Sequence, residues 1–105
     1  RIGACDTGGM QAAHATFSRT GKFLLVAHYV SGHVSIFDTE KSDRIARASA
    51  VIELPGPRDP QNYGRFGVET PLAHGVTVAP SGRYFTVCDA GQDRLWTFAF
   101  DERTG

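Results

Sequence analysis

The sequence predicts an all-β chain made of β-propeller blades, each of four antiparallel strands, with about two blades present. Three observations carry this expectation. Gly21-Lys22-Phe23-Leu24-Leu25-Val26-Ala27 returns as Gly82-Arg83-Tyr84-Phe85-Thr86-Val87-Cys88, and His33-Val34-Ser35-Ile36-Phe37 returns as Arg94-Leu95-Trp96-Thr97-Phe98, each 61 residues on. The apolar runs are short, rich in β-branched and aromatic residues, and separated by Gly, Ser and Asp turns, which is the strand-and-turn pattern. No segment carries the three-to-four-residue apolar spacing of a helix. A long-period repeat of four short antiparallel strands is the signature of propeller blades.

In chain order, the first unit gives strands near residues 14–18, 22–29 and 33–39, and a fourth near 48–54. The second unit gives strands near 74–79, 83–89 and 94–100, then a turn over 101–105 where a fourth strand is due. Ser18-Arg19-Thr20-Gly21 and Pro80-Ser81-Gly82 are tight turns between first and second strands, because Gly supplies the backbone angles such turns need. The repeat is longer than the roughly 40–50 residues usual for blades, and the excess falls in a Pro- and Gly-rich loop that cannot continue a sheet. The chain thus divides into a first blade at 10–55, a long loop at 56–73 and an incomplete second blade at 74–105. Two blades leave open edges, so the chain reads as a piece of a longer propeller whose remaining blades are its partners.

Composition narrows the function. Apolar residues are 41% and charged residues 21% of 105, as in ordinary globular chains, so disorder is not expected. Eleven basic and 11 acidic side chains cancel and are scattered, which argues against a nucleic-acid or membrane-surface partner. No apolar run approaches the roughly 20 residues that span a bilayer, and Arg1-Ile2-Gly3-Ala4-Cys5-Asp6 lacks the pattern of a signal peptide. A reduced, cytoplasmic protein is the expectation. Of the two cysteines, Cys88 sits in the apolar run Tyr84–Cys88 and reads as a buried thiol, with no support for a disulfide to Cys5.

Up-and-down strands reverse direction each time, so the start of a first strand and the end of a second share one mouth of the propeller. His14, His28, His74 and Asp89, with the loop residues Arg58, Arg65 and Glu69, are expected there. Structural roles are open to the same residues. His14 could bond a neighbouring blade, His28 and Asp89 hold the same repeat position and could serve a turn, and Asp89 in particular suits turn capping. His74 opens an innermost strand straight after the long loop and is the foremost functional candidate. The histidine spacing fits no tight zinc pattern, and neither a Gly-x-Ser-x-Gly elbow nor a phosphate loop is present.

The stretch Gln11-Ala12-Ala13-His14, followed by Ser18 to Gly32 with its Val26-Ala27-His28-Tyr29-Val30-Ser31-Gly32, resembles a recurrent stretch of the seven-bladed propeller lactonases. Pro71-Leu72-Ala73-His74-Gly75-Val76 and Tyr84-Phe85-Thr86-Val87-Cys88-Asp89-Ala90-Gly91-Gln92-Asp93-Arg94 resemble two more of that family's motifs, in the same order. That family includes 6-phosphogluconolactonase and the carboxymuconate lactonizing enzymes. Three departures stand out: His28 replaces an Asn, Leu72 replaces a His, and the Arg-Gln pair ahead of the second motif is missing.

The resemblance implies hydrolysis of a sugar-acid lactone such as 6-phosphogluconolactone, a step of the pentose phosphate pathway. The resemblance places His74 at the active-site mouth, and for such a hydrolysis an imidazole suits the role of catalytic base. His14, His28, Arg65 and Asp89 are the expected substrate contacts, with Arg65 or Arg58 to hold an anionic group, and no metal or organic cofactor is called for. It also implies that other blades hold further site residues, so this chain alone is expected to be inactive. A lactonizing cycloisomerase and a non-enzymatic interaction platform are the alternatives on the same fold.

Overall fold

The computed structural model describes residues 4–40, 47–59, 61, 65, 67 and 69–105. Its seven strands are β1 (Ala12–Phe17), β2 (Phe23–His28), β3 (His33–Asp38), β4 (Ala50–Glu53), β5 (Ala73–Val78), β6 (Tyr84–Asp89) and β7 (Arg94–Ala99). They form two antiparallel meanders, a four-stranded sheet ordered β1-β2-β3-β4 and a three-stranded sheet ordered β5-β6-β7. The expected strands are all present, with ends shifted by one or two residues.

The repeat extends to individual hydrogen bonds. Gly21 and Gly82 both sit in the left-handed region, at φ 78° and 72°, where a side chain would be strained. Each donates its N–H back across the turn, Gly21 to the Ser18 carbonyl at 2.9 Å and Gly82 to the Ala79 carbonyl at 2.8 Å. At the next turn Gly32 has φ 63° and its counterpart Asp93 has φ 50°; Asp tolerates that conformation better than most residues.

Side chains alternate across a strand, so each sheet has two faces, and the repeat decides how they stack. The first sheet buries Phe23, Leu25 and Ala27 of β2 and Val34 and Ile36 of β3 against Val76, Phe85 and Val87 of the second. Phe100 joins both sides, its ring edge-on to Phe23 at 5.7 Å and to Phe85 at 6.0 Å. Carried forward 61 residues, the buried set of the first sheet becomes Tyr84, Thr86, Cys88, Leu95 and Thr97, which lie on the opposite face of the second sheet. The sheets therefore stack front to back, as successive copies of one unit, not as mirror-related halves.

This stacking corrects the expectation for Cys88. The thiol is exposed, and so is that of Cys5. Cys88 repeats Ala27, but it faces away from the first sheet, and Tyr84 and Leu95 beside it are 45% and 69% exposed. Its apolar neighbours in sequence gave the correct strand and the wrong face.

Candidate functional site

At the corner where β1 and β5 begin, Gln11, Ala12, Ala13, Tyr29, His74 and Ala90 line an open depression of about 460 Å³. Two β-bulges shape it. The β1–β2 pairing passes from Ala12 opposite His28 to His14 opposite Ala27, leaving Ala13 as the extra residue. The β5–β6 pairing passes from Ala73 opposite Asp89 to Gly75 opposite Cys88, leaving His74 as the extra residue. A bulge re-aims the side chain it inserts, and His74 is exposed at the depression. The bulges also fix the repeat equivalences: His74 answers to Ala13, not to His14, whose counterpart is Gly75.

Of the residues expected at one mouth, only His74 lines this depression among the described residues. His14 is exposed on β1, and its Nδ1 accepts the backbone N–H of Val76 at 3.4 Å, tying the inner strands of the two sheets together. Arg65 and Glu69 are exposed residues of the loop, outside the lining. Arg58 is committed to the backbone: its guanidinium donates to the carbonyls of Ser31 at 2.7 Å, Gly32 at 3.0 Å and Leu54 at 2.7 Å.

Asp89 is 3% exposed and works as a turn anchor. Its Oδ1 accepts the N–H groups of Leu72 at 3.0 Å, Gly91 at 3.0 Å and Gln92 at 3.2 Å. Its Oδ2 accepts Gln92 Nε2 at 2.7 Å and Trp96 Nε1 at 3.0 Å. Burial pushes the carboxyl pKa up, but these donors together outweigh it and hold the pKa below the usual carboxylate range. With both oxygens occupied, Asp89 presents no free acceptor to a substrate.

His28 is fully buried and cannot contact a substrate in this structure. Its ring stacks on His33 with centroids 4.3 Å apart, and Gly9 is pressed against both rings so closely that a Cβ there would collide with them. Burial is the main cause that lowers both imidazole pKa values, and for His28 the neighbouring His33 adds to it. Folded-state values below the ordinary 6.5 mean that the unfolded chain binds more protons. Stability is then full above about pH 6.5 and is lost as pH falls toward the folded pKa values. Urea midpoints should accordingly drop between pH 7 and pH 5, and His28→Leu/His33→Leu should flatten that slope. Equal slopes in the two proteins would contradict this assignment.

Gln11 and Tyr29 are the site residues that sequence reasoning passed over. Gln11 adopts φ 57°, a strained conformation for a residue other than glycine. Its carbonyl accepts the N–H of Tyr29 at 2.9 Å, and the Tyr29 ring meets His74 edge to face with centroids 5.7 Å apart. The signal was present in the repeat. At the three positions where the first sheet has Gln11, Ala13 and Tyr29, the second has Leu72, His74 and Ala90.

Comparison with known proteins agrees with this architecture. No curated protein matches the sequence. A solved structure from Bacteroides fragilis, provisionally assigned as a 6-phosphogluconolactonase, is similar at 26% identity and a TM-score of 0.72, over 92% of this chain and 26% of that one. A protein of unknown function from Desulfotomaculum acetoxidans shares the fold at 18% identity and a TM-score of 0.69, over 94% of this chain and 26% of that one. The chain thus spans about a quarter of the length of either. The sequence model of the seven-bladed β-propeller lactonases matches residues 1–105. With two bulged meanders stacked front to back as successive blades, the chain belongs to the seven-bladed β-propeller lactonase family.

Proposed function

We propose that the depression around His74 is part of the active-site mouth of a lactone hydrolase acting on a sugar-acid lactone such as 6-phosphogluconolactone. The observation that carries this reading is the placement of His74. It is an exposed imidazole on a bulge at the start of an inner strand, in a concave site, at a position where the first blade has only Ala13. Nothing in the bulge itself requires a histidine, so its presence asks for a chemical reason.

Ester hydrolysis supplies one. Water attacks the lactone carbonyl, His74 takes the proton of that water, the ring C–O bond breaks, and the proton passes to the departing ring oxygen. An imidazole suits this exchange because it carries and releases protons near neutral pH. The developing oxyanion needs hydrogen-bond donors or a cation. A phosphate on the substrate would need a cation too, and among the described residues the lining of the depression holds one imidazole, that of His74, and no Lys or Arg. Arg65, in the loop leading to β5, is the candidate of this chain for holding the anionic group.

The test is hydrolysis by the full-length protein of 6-phosphogluconolactone, an unphosphorylated sugar lactone and a muconolactone. The reading predicts turnover of the phosphorylated sugar lactone with a clear preference over the others. Preference for the muconolactone would replace it with lactonizing cycloisomerase chemistry, and no turnover of any lactone would replace it with an interaction platform.

A further inference from the structure

We infer that Tyr29 is a positioning residue for His74, its ring holding the imidazole in the orientation that faces the depression. The inference rests on the reading of His74 as the base and adds a second residue, contributed by the neighbouring blade.

The repeat provides an internal control for what the fold needs at this position. In the second blade the same place is Ala90, whose N–H donates to the Leu72 carbonyl at 3.0 Å, just as the Tyr29 N–H donates to the Gln11 carbonyl at 2.9 Å. A methyl side chain therefore suffices for the turn, and the phenol ring of Tyr29 is surplus to it. That ring is half-buried and lies across the blade boundary against His74, centroids 5.7 Å apart and planes at 77°. Edge-to-face contact is the favoured geometry for such rings.

His74 needs such a support. It is exposed on a bulge, where an imidazole would otherwise spread over several rotamers, and a base out of line with its water loses rate steeply. Gln11 completes the arrangement. Its backbone is left-handed at φ 57°, a conformation that its counterpart Leu72 does not share although it accepts the equivalent N–H, and strain of this kind persists where surrounding structure enforces it and concentrates at functional sites. Three positions that differ between the blades thus meet at one point, and each differs in the direction of chemistry: Gln11 for Leu72, Tyr29 for Ala90 and His74 for Ala13.

The experiment compares wild type, Tyr29→Phe, Tyr29→Ala and His74→Ala in the full-length protein. It follows kcat and KM for the preferred lactone, the melting temperature, and the imidazole C–H resonances of His74. Tyr29→Ala installs the residue that the second blade already carries, so the melting temperature should hold. We expect kcat to fall about 10–100-fold in Tyr29→Ala with KM little changed, and to be restored in Tyr29→Phe, which keeps the ring. The His74 resonances should move in Tyr29→Ala, where the ring current is lost, and stay in place in Tyr29→Phe.

Loss of activity in His74→Ala with wild-type kcat in Tyr29→Ala would overturn the positioning role and leave the base standing. Full activity in His74→Ala would remove the base instead, and unmoved His74 resonances in Tyr29→Ala would remove the contact. An equal loss in Tyr29→Phe and Tyr29→Ala would show that the hydroxyl acts, against a role for the ring alone.

Discussion

Replacing Asp89 by Ala should destabilise the protein by about 3–5 kcal/mol, as much as emptying a core phenylalanine. The carboxylate sits 3% exposed among five donors from Leu72, Gly91, Gln92 and Trp96. Removing it strands the buried N–H of Leu72 and takes the acceptor from the half-buried indole of Trp96, and an orphaned buried donor costs about 1–3 kcal/mol. Asn keeps one good acceptor and should recover part of the loss. The pKa of Asp89 lies below its usual value, so the stabilisation is complete above the unfolded value of 3.8 and disappears as pH falls through the lower folded pKa. Denaturant titrations of wild type, Asp89→Asn and Asp89→Ala check both points. The wild type should lose stability with acid below about pH 4, and the variants should lose less over the same range. Wild-type stability in Asp89→Ala would show that the turn does not depend on these bonds.

Much of this architecture was legible in the sequence because its repeat is direct. The 61-residue offset that pairs Gly21 with Gly82 also pairs their turns, their bulges and the two faces of each sheet. What a single strand cannot announce is which face meets which neighbour. Cys88 lies in as apolar a run as Ala27 does, yet one faces the adjoining sheet and the other does not. Polar residues were harder to place for a related reason. His28 and Asp89 end equivalent strands, and both turn inward, one into a stack with His33 and the other into a turn that its carboxylate organises. His14 and His74 were both expected at the mouth because each lies at the start of a first strand, but they sit one repeat position apart, and the bulge places only His74 as an inserted residue at the depression. Comparing the blades for differences as well as likenesses would have drawn attention to Gln11 and Tyr29, where one copy carries functional groups and the other carries Leu72 and Ala90.

His74→Ala in the full-length protein is the most direct measurement of whether this corner of the propeller is catalytic. The substitution gives the second blade the residue that the first already has at Ala13, so folding and melting temperature should be unaffected. General-base catalysis contributes about 10²–10⁴-fold to a rate, and kcat for the preferred lactone should fall by that factor while KM changes little. His74→Gln, which keeps a polar side chain but cannot carry the proton, should fall equally far. Turnover undiminished in both variants, with the fold intact, would contradict the account and place the chemistry in another part of the propeller.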